Sequence, residues 1–141
     1  MAGVAFASDE WAEKFKEEIN KSASYKAAAR GWKWTIGFVV EAEPDKNVPE
    51  PIGIVMDLFD GEARDVKITS AADAKKCDFI ITASYSRWKQ VINKELDAIR
   101  GMLTGKLKLK GDLTTIVRYT KAAQELTECA TRVPVEWPDE R

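Results

Sequence analysis

Gly101-Met102-Leu103-Thr104-Gly105-Lys106-Leu107-Lys108-Leu109-Lys110-Gly111-Asp112 is the run that decides the fold. It reads as the end of one helix, a glycine break, a short strand and the cap of a second helix. Gly105 can take the left-handed conformation that ends many helices. Lys106 to Lys110 alternate lysine and leucine, so Leu107 and Leu109 fall on one face and the lysines on the other. Charge along one face discourages pairing with another chain, which predicts an edge or solvent-facing strand covered on one side only. Asp112 stands where a carboxylate accepts the first free N–H groups of a helix beginning near Leu113.

Downstream, that helix runs from about Leu113 to Thr131. Its apolar face (Ile116, Tyr119, Ala122, Ala123, Leu126, Cys129 and Ala130) is wide enough to touch two surfaces. The tail Val133 to Arg141 carries two prolines and Trp137 and cannot be a regular helix. Upstream lie two short helices, Leu96 to Leu103 and Tyr85 to Lys94, and before them the apolar, β-branched strand Cys77 to Ser84, expected deep in a sheet. Ser70 to Lys76 is a short helical turn. Strands Ile52 to Phe59 and Glu62 to Thr69 flank the tight-turn dipeptide Asp60-Gly61. Ala42 to Pro51, with three prolines, reads as an ordered loop without regular structure. Trp32 to Glu41 alternates with period two: Trp32, Trp34, Ile36, Phe38 and Val40 on one face, Lys33, Thr35, Gly37, Val39 and Glu41 on the other. A short helix, Ser22 to Arg30, ends at Gly31. The first helix starts at Ser8 or Asp9 and runs to about Lys21, with Trp11, Phe15 and Ile19 as one stripe. Met1 to Ala7 is expected to be a loose lead-in. The order α-α-β-β-β-(α)-β-α-α-β-α, with the first three strands as an antiparallel meander, is that of an α+β layer fold with helices mainly on one side.

Composition narrows the function. At 141 residues, 45% hydrophobic and 32% charged, the chain is expected to be a single globular domain over 1–141. A net charge of −1 argues against nucleic acid or an acidic membrane surface as the main partner. The absence of histidine removes the commonest general base and metal ligand. Cys77 and Cys129 are in no CxxC spacing, so neither a metal site nor a redox pair is indicated; both read as small buried hydrophobes. No apolar run reaches a membrane span and no signal peptide is seen, so a cytoplasmic location is expected.

The opening run, with Trp88, the helix Leu96 to Leu103, the Asp60-Gly61 hairpin and the apolar strand Asp78 to Ala83, resembles the sterol-carrier-protein-type lipid-binding domain, over roughly Ser8 to Thr131. That resemblance implies a five-stranded, mostly antiparallel sheet covered mainly on one face by helices, with a hydrophobic tunnel between them. It also implies binding of fatty acid, fatty acyl-CoA or sterol-like lipid without chemistry and without a cofactor. The sequence departs from the pattern in two places. It ends on Pro134-Val135-Glu136-Trp137-Pro138 and a charged tripeptide, so a peroxisomal address is not expected. The proline-rich insertion between the first two strands could alter one rim of a tunnel.

A lipid tunnel needs apolar side chains that converge without fully interdigitating. The roofing helices offer Phe15, Ile19, Trp88, Ile92, Leu96, Met102, Leu103, Tyr119 and Leu126, although plain core packing is the simpler account of each taken singly. Arg87, Lys89 or Arg100 could meet a headgroup at the mouth; a solvated surface cation is the simpler account of them. Burial at about 0.8 kcal/mol per methylene gives roughly 11 kcal/mol for about fourteen methylenes, against an association cost of about 4–15 kcal/mol. Affinity is therefore modest without a charge clamp. Catalysis is disfavoured: Ser84, Tyr85 and Ser86 have no histidine to activate them, and no phosphate-binding loop occurs. Two other readings stay open, a protein-interaction or dimerisation module using the same apolar groove, and an accessory domain of an acyl-thioester enzyme. A small-molecule lipid is the expected partner and nucleic acid is not, while transient membrane contact and a homodimer stay open.

Overall fold

The structure, a computed structural model, describes residues 3–140. Met1 and Ala2 of the expected lead-in and Arg141 of the tail lie outside the described residues. The rest of the lead-in is not loose. Val4–Ala5 forms strand β1, which pairs in parallel with β7, Val135–Glu136, near the far end of the chain. Phe6 and Ala7 continue from β1 into the core, which is what holds this segment down.

Six helices begin on a side chain that accepts a backbone N–H, the physical reason they start where they do. Ser8 caps α1 (Asp9–Lys21) and Ser22 caps α2 (Ala23–Ala28). Ser70 caps α3 (Ala71–Ala74) and Ser84 caps α4 (Tyr85–Ile92). Asp97 caps α5 (Ala98–Leu103) and Asp112 caps α6 (Leu113–Arg118), the latter by accepting from Thr114 N at 3.1 Å. The long last helix expected from the apolar face is broken at Tyr119, and α7 (Thr120–Thr131) continues after the break. At that point the Thr120 hydroxyl donates to the Val117 carbonyl oxygen at 2.6 Å, a local bond that competes with the helical ladder. The Tyr119 ring is meanwhile held edge-on against Trp32, centroids 5.0 Å apart.

The main sheet contains β2 (Thr35–Glu41), β3 (Ile52–Phe59), β4 (Glu62–Thr69), β5 (Phe79–Ser84) and β6 (Lys108–Lys110), in the order β4-β3-β2-β5-β6. The β2–β5 pairing is parallel and the other three are antiparallel. β6 is an edge strand whose lysines are exposed while Leu107 is buried and Leu109 half-buried. Asp60 and Gly61 both have positive φ, as a two-residue hairpin turn requires. β2 and β5 each start later than the alternation suggested, because Trp32 turns inward as a separate aromatic anchor and Cys77 lies in the turn before β5. Cys77 is only half-buried, unlike the expected core role, whereas Cys129 is buried. The proline-rich loop is pinned rather than structureless: it holds a short 3-10 turn at Pro44–Lys46, and the Glu43 carboxylate accepts from Ser86 N at 2.6 Å and Ser86 Oγ at 2.9 Å.

Register puts rows of carbon across one face. Ile68, Ile54, Phe38, Ile81 and Leu109 stand side by side over all five strands, and Val66, Met56, Ile36 and Phe79 form the next row. α1, α4 and α7 roof this face. α1 is tied to the edge strand by Asn20, whose side-chain amide donates to Ala63 O at 3.0 Å and accepts from Ala63 N at 2.8 Å. The opposite face is covered over its centre only, by α3, with Val39, Ala74 and Ile80 forming a small second core. A Cβ at Gly37 would overlap the Ala74 carbonyl, and one at Gly53 the Ser70 carbonyl. These glycines let α3 lie flat on the strands. Gly37→Ala is therefore expected to lower the unfolding free energy by about 2–3 kcal/mol through steric overlap with rigid backbone, read as a lower urea midpoint; an unchanged midpoint would show that α3 is free to lift.

Candidate functional site

The carbon rows form a floor, and three helices meet over it. α1 contributes Trp11 and Phe15, α4 contributes Trp88, Val91 and Ile92, and α7 contributes Ala122, Ala123, Leu126 and Ala130. The alanines of α7 face the floor where larger side chains would fill the gap. What remains is a partly enclosed hollow of about 130 Å³. Aromatic rings hold it open. Trp32 packs on Phe79 at 5.2 Å and on Tyr119 at 5.0 Å, and Trp88 stands edge-on to Phe38 at 5.4 Å. Trp88 Nε1 donates to Val39 O at 3.0 Å, which fixes a roof ring to the central strand.

Among the described residues, no Lys, Arg, Asp or Glu contributes to the wall. Burial raises the Tyr25 hydroxyl pKa above its ordinary value, reinforced by the nearby Cys129, so this wall hydroxyl stays neutral. A wall of this composition suits hydrocarbon.

Of the residues singled out from sequence, Phe15, Trp88, Ile92, Met102, Tyr119 and Leu126 stand together in this wall. Ile19 is buried in the same core but outside the wall, and Leu96 is half-buried against that core near Gly101. Leu103 is 61% exposed at the end of α5. The floor residues Ile36, Phe38, Ile54, Met56 and Ile81 were not assigned to the site from sequence, though the period-two alternation of their strands was the signal that could have found them. Arg87, Lys89 and Arg100 do not reach the wall. Lys89 is engaged by Asp139 and Glu140 of the tail.

That ion pair ties the tail to α4 beside the hollow. Phe6, a wall residue, stacks on Trp137 at 5.1 Å and packs against Tyr85 at 5.8 Å. Tyr85 Oη donates to Asp139 Oδ1, and Lys89 Nζ donates to the same carboxylate at 3.0 Å. Burial opposes the charge on Asp139, but the hydrogen bonds from Tyr85 and Lys89 outweigh it and hold the carboxyl below its ordinary value. Burial is also the largest influence raising the Tyr85 pKa, with the Asp139 hydrogen bond adding to it. A second, more polar hollow of about 350 Å³ lies beneath the tail and shares Ile92 and Ala130 with the first.

The SCP-2 sterol transfer family model matches residues 12–124. A crystal structure of sterol carrier protein 2 superposes with a TM-score of 0.84 at 29% identity, covering 91% of this chain and 98% of that one. The solution structure of a conserved hypothetical protein from Thermus thermophilus gives 0.85 at 28% identity, with 96% and 94% covered. Apo sterol carrier protein 2 from Yarrowia lipolytica, at 18% identity, shares the fold with a TM-score of 0.57 over 89% of this chain and 91% of that one. No curated protein matches the sequence.

Because the Asp139 pKa is depressed in the folded state, the tail latch is fully formed above the ordinary carboxylate value of about 3.9 and is lost as pH falls through the lowered one. Amide protection at Val4 and Phe6, which bond to Pro134 and Glu136 carbonyls, is expected to hold from pH 7 to about 5 and to fall below about pH 4. Asp139→Asn should lower it at pH 7 and flatten the acid response; hydrogen exchange corrected for intrinsic rates checks both.

Proposed function

We propose that this chain, which belongs to the SCP-2 sterol transfer family, is a non-enzymatic cytoplasmic carrier, acting as a single domain, that seats a fatty acid, fatty acyl-CoA or sterol-like lipid between its sheet and its helical roof. The observation that carries this reading is the uncharged, carbon-lined hollow walled by Phe15, Trp88, Ile92, Met102, Tyr119 and Leu126. A dry apolar cavity of about 150 Å³ takes one benzene ring, so the present volume admits only part of a long chain. Loading a whole lipid requires the roof to part. Met102 and Met56, both in the wall, are the side chains best able to adapt to different shapes.

The carrier reading, rather than an enzymatic one, is supported by the lack of histidine and by the absence, among the described residues, of any ionisable acid or base in the wall except the two tyrosines. No helix among the described residues is long and apolar enough to cross a membrane. The two cysteines are unpaired, in keeping with a reducing compartment.

Long-chain lipids are expected to displace a fluorescent fatty acid saturably. At about a hundredfold excess over Kd they should raise Tm by about 5–10 °C. Ala123→Leu, which fills the hollow, should move the two readouts in opposite directions: stability up by about 1 kcal/mol, affinity down about tenfold. Absence of displacement by every long-chain lipid tried would overturn the carrier reading.

A further inference from the structure

We infer that the indole N–H of Trp11 is the polar anchor of the hollow, and that the lipid it selects brings a neutral oxygen acceptor, a hydroxyl or a ketone or ester carbonyl, to the buried end. The inference rests on the carrier reading and deepens it, because it names the chemistry of the cargo.

Trp11 is a wall residue and only 2% exposed. Its Nε1 is buried and has no hydrogen-bond acceptor among the described residues, so a cargo oxygen meets it only once the roof has parted to load. The other two indoles of the same wall are satisfied: Trp32 Nε1 donates to Trp34 O at 2.8 Å and Trp88 Nε1 to Val39 O at 3.0 Å. The fold thus supplies acceptors to two of its three wall indoles and withholds one from the third. The rings packed on Trp11, Phe6 at 5.4 Å and Phe15 at 5.2 Å, present π faces at most, which are weaker acceptors than oxygen. A buried donor without a partner is costly to keep. An indole nitrogen can only donate, so what completes it is an acceptor brought in with the cargo.

The acceptor is a neutral one because the wall offers it no counter-charge. Among the described residues the wall holds no Lys or Arg, and an ionised carboxylate in an apolar site without a counter-ion is far more costly to bury than a hydroxyl or carbonyl. A fatty acid can still enter methyl end first with its carboxylate left outside, but it then leaves Trp11 unsatisfied. An oxygenated neutral lipid satisfies Trp11 and fixes its own orientation, oxygen inward.

The test is a 1H–15N spectrum of the indole region of the whole chain, titrated with dodecanol, dodecane and dodecanoate delivered from cyclodextrin. The Trp11 resonance is assigned through its proximity to Phe6 and Phe15. It is expected to move downfield with dodecanol and to stay with dodecane. Trp11→Phe should weaken dodecanol about five- to tenfold and dodecane less than about twofold. Comparing the two ligands in the variant cancels the change in ring size. Equal shifts with dodecanol and dodecane, or equal losses in Trp11→Phe, would overturn the anchor while leaving the carrier reading intact. A larger downfield shift with dodecanoate than with dodecanol would overturn the neutral-acceptor assignment. Failure of all three to bind would overturn the carrier reading and the anchor with it. Should Trp11→Phe not fold, the wild-type shifts alone decide.

Discussion

The helical roof cannot settle onto the sheet, and the rest of the molecule follows from that. α1 is pinned to the sheet edge by the Asn20 amide on Ala63. The first turn of α4 is anchored by Trp88 on the Val39 carbonyl, and the break before α7 is wedged by Tyr119 against Trp32. Between these fixed points α7 shows alanines to the floor. A cavity of about 130 Å³ left unfilled costs about 3 kcal/mol at roughly 24 cal/mol per Å³. Measured against a typical stability of about 5–15 kcal/mol, that is tolerable but not negligible, so the hollow has to be held by specific contacts rather than left over from loose packing.

Rigidity is distributed unevenly to match. The centre of the sheet is covered on both faces, by the roof on one side and by α3, seated on Gly37 and Gly53, on the other. Buried strands with a full ladder on each side are the parts of a fold that open last. The roof has no such backing, and the tail beside it is held by a two-residue parallel pair, β1 with β7, and by an ion pair shared between Lys89 and two tail carboxylates. The floor therefore fixes the shape of one wall, and any change in the shape of the hollow falls to the helices and the tail.

Much of this architecture was legible locally. The alternation at Lys106–Lys110, the carboxylate at Asp112 and the Asp60-Gly61 turn each carry their conformation in a few adjacent residues; the cap and the turn formed as read, and the strand formed over Lys108–Lys110 only. What escaped depends on partners distant in sequence. The β1–β7 pairing joins residues some 130 positions apart, which no local pattern encodes. The break at Tyr119 is decided by Trp32 on another element, and Gly37 reads as a polar-face residue until Ala74 is placed over it. The site divided in the same way. The six roof residues that converge were visible as helical stripes, whereas Leu103 belongs to the same kind of stripe and, as the last residue of α5, points to water.

The energetic consequence of an empty hollow is that it favours its own filling. About 3 kcal/mol of cavity cost, relieved on loading, corresponds to roughly a hundredfold in affinity before any contact specific to one lipid is counted. Such a term is shared by every apolar guest of the right volume, so it gives affinity without discrimination. Discrimination has to come from groups that a hydrocarbon cannot satisfy. In a wall without charge those groups are few, and a single well-placed donor then weighs more than it would in a polar site, because the guest that lacks its partner must leave it unsatisfied. On the proposed carrier reading, a site built this way holds many lipids loosely and a few of them in one orientation.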